Sequence, residues 1–249
     1  MIQLTIMKIT GYGPWTVTLG SDREHRLQML QASMYERVQD LFSARSALVF
    51  LNRADEFFAV ANGLSLRDHA EIQAELGSQF DIRLSMSVGR ADRPFDANLR
   101  AHKARSERPT DERHEIYGTP VAEQGDSATI MHLDIEDLTS RTESTSPYEI
   151  TAIVLELYAK MSRFFLEYGF LSFFMGGDNF MVVADGRAKD AAESFLAEMR
   201  REGITINCGI GTGQTGRQAA ELATASLDAI RNMRETEEQR PNIYEMQCS

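Results

Sequence analysis

Apolar positions recur along this chain at two spacings. Leu27, Leu30, Met34, Val38 and Leu41 fall three and four residues apart, which predicts an amphipathic helix over Arg23–Ser43. Elsewhere short apolar runs are set back to back. In "LVFLNRADEFFAVANG" (48–63) and "LSFFMGGDNFMVVADG" (171–186) two such runs flank a short polar turn, the pattern of a β-hairpin. "LTIMKIT" (4–10), "IRLSMSVGR" (82–90), "ATIMHLD" (128–134) and "ITINCGIGT" (204–212) read as single strands. Helical spacing returns around Leu66–Leu76, Pro147–Tyr168 and Ala188–Arg201.

These elements form a series that is run through twice. Thr5-Ile6-Met7 recurs as Thr129-Ile130-Met131, Asp55-Glu56-Phe57 as Asp178-Asn179-Phe180, and Gly89 as Gly211, in one order and at nearly constant offset. Each copy reads βαββαβ and ends in a closing helix. The predicted class is α+β: two tandem ferredoxin-like domains from an internal duplication, with the helices on one face of each sheet. Residues 1–105 form the first copy, 106–127 a polar linker punctuated by Pro and Gly, 128–235 the second copy and 236–249 a tail.

One turn holds more than a turn needs. Gly176 and Gly177 supply the positive φ of a hairpin, but Asp178 beside Phe180 is not explained by that. Asp134, at the end of the second copy's first strand, interrupts a run headed for the core. In a βαββαβ sheet that strand lies next to the hairpin, so Asp134 and Asp178 are expected side by side. Close carboxylates repel, and a divalent cation removes the conflict. Magnesium is held by one or two carboxylates with water and phosphate oxygens; the Ile135 carbonyl is a further candidate ligand.

The segment "IEDLTSRTESTSP" (135–147), which includes Thr139, is rich in hydroxyls and leads into a helix. Alone it reads as a capped helix start. Together with the acid pair, it reads as a seat for a phosphate chain. In the first copy Asp55 matches Asp178, and the repeat places Thr10 at Asp134, which leaves one acid. Tyr12 and Trp15 lie in the loop "GYGPWTVTLGSD" (11–22), where their rings either stack on a purine or pin the loop to the domain.

The totals narrow the partners. A formal net charge of -11 over 249 residues repels nucleic acid. Lysine is confined to Lys8, Lys103, Lys160 and Lys189, an acidic, Lys-poor surface that fits either a high-salt habitat or drift. Cys208 and Cys248 have no Cys or His partner at zinc spacing, so Cys208 is expected to be a buried small hydrophobe and Cys248 an exposed thiol in a reducing cytoplasm. No signal peptide opens the chain and no run is long enough to span a membrane.

"GYGPWTVT", "IEDLTS" and "GGDNF", in that order and over nearly the whole length, resemble the archaeal-type GTP cyclohydrolase III family, which is similar in fold to GGDEF and other palm-domain nucleotidyl cyclases. The resemblance implies an enzyme that binds GTP with magnesium, uses water to open the imidazole ring at C8, keeps the formyl group and cuts the triphosphate to a monophosphate. It implies potassium as an activator, no zinc, and a homo-oligomer. With the acid pair, it assigns metal binding to Asp134, Ile135 and Asp178 and catalysis to Asp134, Asp178 and Asn179. Nucleotide binding falls to Gly176, Gly177, Thr139, Tyr12, Trp15 and Asp55. The alternatives are a palm-fold nucleotidyl cyclase and a non-catalytic guanine-nucleotide sensor.

Overall fold

The computed structural model describes residues 1–122, 126–136, 145–233 and 241–248. The chain divides into two compact units, Met1–Asp92 with Asp96–Asp126, and Arg93–Phe95 with Ser127–Ser249.

In the first unit the elements are β1 (Ile2–Ile9), α1 (Tyr12–Thr18), α2 (Arg23–Ser43), β2 (Leu48–Arg53), β3 (Glu56–Val60), α3 (Leu66–Phe80), β4 (Leu84–Ala91), α4 (Pro94–Ala104) and β5 (Ile116–Tyr117). The sheet order is β2-β3-β1-β4-β5. Side chains alternate across each strand, so Met7 and Ile9 of β1 reach Met34 and Val38 of α2 and Ile72 and Leu76 of α3 in one buried cluster. Helix α3 starts at a capping box between Ser65 and Asp68. Residues 12–18, expected as loop, form α1. Tyr12 and Trp15, one turn apart, face each other with ring centroids 5.9 Å apart.

The second unit repeats this with β6 (Ala128–Ile135), α5 (Pro147–Glu167), β7 (Leu171–Gly176), β8 (Asn179–Ala184), α6 (Ala188–Arg201), β9 (Ile206–Gly213), α7 (Gly216–Met233) and β10 (Ile243–Gln247). Its order is β10-β9-β6-β8-β7. Met131 and Leu133 of β6, Phe180 of β8 and Cys208 and Ile210 of β9 are buried with Phe165 of α5 and Phe195 of α6. Both units are therefore βαββαβ sheets of the ferredoxin-like, palm type, with a strand added beyond the fourth.

Besides α1, the structure departs from the sequence expectations in three places. First, the closing helix lies on the opposite face, so each sheet is covered on both sides. Gly209, Gly211 and Gly213 occupy alternate positions of β9, and their missing side chains let α7 rest on the strand backbone. A Cβ at Gly209 would collide with the Ala223 carbonyl, and one at Gly211 with the Ala219 carbonyl. Gly89 plays the same part under α4. Second, the stretch expected as a tail contains β10, paired in parallel with β9, and the expected linker contains β5, paired in parallel with β4.

The third departure is a shift of register between the copies. Lys8 pairs with Glu56 and Ser85, whereas Asp134 pairs with Asn179 and Asn207. Leu4 lies opposite Gly89 as Ile130 lies opposite Gly211. By these pairings Lys8, not Thr10, occupies the place of Asp134. The shared Thr-Ile-Met triplet is two residues out of step with the sheet. A shift of two leaves the in–out alternation of a strand unchanged, so hydrophobic pattern could not detect it.

Candidate active site

Asp134 is the penultimate residue of β6, on the face covered by α7. The β7–β8 hairpin turns through Gly177 and Asp178, since Gly176 pairs with Asn179. Gly176 and Gly177 have φ of 104° and 62°, conformations that L side chains rarely hold. Space for a Cβ at either is open to 4 Å, so a ligand can approach the turn's backbone there. Ile135 donates its N–H to the Asp178 carbonyl at 3.4 Å. Its side chain is buried, so only its backbone could serve a ligand.

Asp134 pairs across the sheet with Asn179, which sets it beside the turn that carries Asp178. Burial raises the Asp134 pKa above its ordinary value, opposed by Arg231 and reinforced by the negative charge of Asp178. Arg231 Nη2 lies 3.2 Å from Asp134 Oδ2, and the same guanidinium reaches Asp228 Oδ1 at 3.2 Å. An acid that is destabilised in its charged form and sits beside a second acid favours an added cation. Two hard carboxylates are donors of the kind magnesium takes when water and phosphate complete its shell.

Asn179 is occupied by neighbours. Its Nδ2 donates to Asp178 Oδ1 at 2.8 Å, and its Oδ1 lies 3.1 Å from His132 Nε2. His132 Nδ1 lies 3.1 Å from Thr224 Oγ1 of α7. Burial lowers the His132 pKa, partly offset by the bond to Asn179. The sequence reading passed over His132. The signal was available: in "MHLD" an imidazole sits two residues before the acid, hence on the same face. On the other side of Asp134, Asn207 is 1% exposed and its Nδ2 has no partner among the described residues.

Other expected residues fall elsewhere. Thr139 lies outside the described residues. The start of α5 is capped by the chain itself: Pro147 has no N–H, Glu149 N–H donates to Ser146 Oγ at 3.3 Å, and the Glu149 carboxylate accepts from Ser146 N–H at 3.0 Å. That carboxylate disfavours an anion there. Tyr12, Trp15 and Asp55 belong to the first unit. The Tyr12 hydroxyl accepts from Gln31 Nε2 at 2.6 Å, and its ring packs against the core, which favours the pinning role.

The first unit's counterpart is chemically different. Lys8 Nζ lies 3.9 Å from both Asp55 Oδ2 and Glu56 Oε2. Arg53 reaches Glu56 at 3.1 Å and Asp55 at 3.9 Å. Two cations and two carboxylates balance, and no uncompensated negative charge is left in this group.

A duplicated βαββαβ chain with an acid pair at the end of the central strands of its second sheet defines a tandem palm-type α+β protein. The chain belongs to the GTP cyclohydrolase III family, whose profile matches residues 1–240. It is 36% identical over 236 residues to GTP cyclohydrolase III of Methanothermobacter thermautotrophicus, covering 93% of this chain and 95% of the relative. GTP cyclohydrolase III of Methanosphaera stadtmanae is 33% identical over 238 residues, covering 93% of each chain. Among solved structures, the GGDEF domain of DgcB from Caulobacter crescentus in complex with c-di-GMP is similar at a TM-score of 0.41 and 16% identity, over 49% of this chain and 78% of that one. Among the described residues no helix is long and apolar enough to cross a membrane.

Proposed function

We propose that this protein is a magnesium-dependent GTP cyclohydrolase III. Water adds at C8 of the guanine and opens the imidazole ring; the formyl group stays on the product, and the triphosphate is cut to a monophosphate. The products are 2-amino-5-formylamino-6-ribosylamino-4(3H)-pyrimidinone 5'-monophosphate and inorganic phosphate. The observation that carries this reading is the convergence of Asp134, Asp178 and the Ile135 backbone at one sheet end, in a chain of this family.

Magnesium, when bound, neutralises phosphate oxygens and polarises water. Asp134 and Asp178 would hold it with their carboxylates, and Ile135 with its carbonyl. Gly176 and Gly177 leave the turn backbone bare for the nucleotide. Asn179 holds Asp178 and is no general base, because both ends of its amide are engaged. The first unit, with Lys8 between its acids, is assigned no metal. Potassium activation, a homo-oligomer and a cytoplasmic location belong to the same reading.

The test is product analysis with GTP and magnesium. The purine absorption band should fall, inorganic phosphate should appear, and no formate should be released. A chelator should stop turnover and added magnesium restore it. Asp134→Ala should lose ring opening and phosphate release together; retention of one would separate the steps. Cyclic GMP or a cyclic dinucleotide with the purine band intact would support a cyclase. Bound but unchanged GTP would support a sensor, and free formate a different cyclohydrolase chemistry.

A further inference from the structure

A run of polar groups ties α7 to the Asp178 carboxylate, and with His132 as a neutral imidazole its hydrogen bonds point one way. A carboxylate at this distance accepts, so Asn179 must turn its amide nitrogen to Asp178. Its carbonyl oxygen then faces His132, which obliges Nε2 to carry the imidazole hydrogen. Nδ1 is left as an acceptor and takes the Thr224 hydroxyl. The order Thr224–His132–Asn179–Asp178 has a donor and an acceptor at every joint, and the tautomer follows from the carboxylate at its end.

The packing supports the same assignment. His132 lies opposite Gly209 on β9. At Gly209 a side chain would strike the Ala223 carbonyl and the Leu227 backbone nitrogen, so α7 sits against the bare strand. That approach brings Thr224, next to Ala223, within reach of the ring. The first unit lacks the arrangement: by strand register Ile6 stands at the place of His132 and Glu56 at that of Asn179.

We propose that His132 is the positioning residue of this site, fixing through Asn179 the direction in which Asp178 presents its carboxylate. This rests on the reading of Asp178 as a metal ligand. Partners that orient a ligand in this manner are worth roughly 10–100-fold in metal affinity or activity. His132→Phe keeps a ring of similar size and removes the donor. His132→Gln can return an N–H close to the place of Nε2.

The experiment uses the full chain with Mn²⁺ as probe. Mn²⁺ affinity by electron paramagnetic resonance, kcat and KM for GTP, and thermal unfolding without metal are measured for both variants. His132→Phe should bind Mn²⁺ or turn over roughly 10–100-fold less well while KM changes little, and His132→Gln should recover most of that loss. In the unaltered protein, ¹⁵N spectra of labelled histidine should show His132 as the Nε2–H tautomer. A folded His132→Phe within twofold of the unaltered protein in both affinity and kcat would overturn the proposal. So would the Nδ1–H tautomer, a measurement that stands even if His132→Phe fails to fold. Asp178→Asn run in parallel separates the two ideas. Full Mn²⁺ binding and turnover in that variant would sink the metal reading itself; loss there, with His132→Phe unaffected, would sink only the role of His132.

Discussion

Lys8→Asp should create a divalent-cation site in the first unit. In the unaltered chain Lys8 Nζ stands 3.9 Å from one oxygen of Asp55 and one of Glu56. At that distance unit charges attract by about 1 kcal/mol in a water-like dielectric and about 4 kcal/mol at an effective value near 20. The Lys8, Asp55 and Glu56 side chains are only 30%, 20% and 13% exposed, so the true figure lies between these. Replacing ammonium by carboxylate turns two attractions into repulsions. Against Arg53 alone, three carboxylates leave two uncompensated negative charges, the charge one divalent cation balances.

Without metal the variant should lose roughly 2–4 kcal/mol, seen as a fall in melting temperature on the order of 5–15 °C for a unit of this size. Saturating Mn²⁺ should restore most of it. Mn²⁺ stoichiometry by electron paramagnetic resonance should rise by one per chain. Thr10→Asp is the control, since register places residue 10 beyond the paired positions; it should add no site. A gain of Mn²⁺ in Thr10→Asp and none in Lys8→Asp would refute the register correspondence. Unchanged stoichiometry in both would refute the claim that Lys8 keeps metal out.

Asp178→Asn should abolish magnesium-dependent turnover with the fold intact, and Asp55→Asn should reduce it far less; equal losses, measured as kcat at saturating metal, would mean the copies are assigned the wrong way round. Gly211→Ala should destabilise the second unit by about 1–3 kcal/mol, read from urea unfolding, because the added Cβ meets the Ala219 carbonyl and the Ala223 nitrogen, which cannot swing aside. His69 is fully buried, with Nε2 2.7 Å from Thr5 Oγ1 and Nδ1 2.7 Å from the Ser65 carbonyl. Burial lowers its pKa below the ordinary 6.5. The unfolded chain therefore binds the proton first, and stability present above about pH 6.5 should fall as pH drops through the folded pKa. The urea midpoint of the unaltered chain should decline between pH 7.5 and 5.5, and His69→Gln should show a shallower decline; an unaltered slope would remove the assignment to His69.

Much of this protein can be read from local chemistry. Helical spacing over 23–43 and the strand–turn–strand runs at 48–63 and 171–186 marked elements whose existence depends on short-range pattern, and the structure has them there. Gly176 and Gly177 adopt the positive φ that their place in the turn predicted. The acid pair followed from topology, since a βαββαβ order puts the first strand beside the hairpin.

What the sequence could not decide depends on positions across the sheet. The Thr-Ile-Met repeat pointed to Thr10 as the partner of Asp134, and only strand pairing moved that role to Lys8. The alternating glycines at 209, 211 and 213 were visible, but not that α7 would lie on them. His132 looked like one polar residue in a strand until α7 brought Thr224 to one nitrogen and the hairpin brought Asn179 to the other. Strand periodicity repeats every two residues, so local pattern places a side chain on a face but leaves its register open; the register, and with it every cross-strand partner, comes from the assembled sheet.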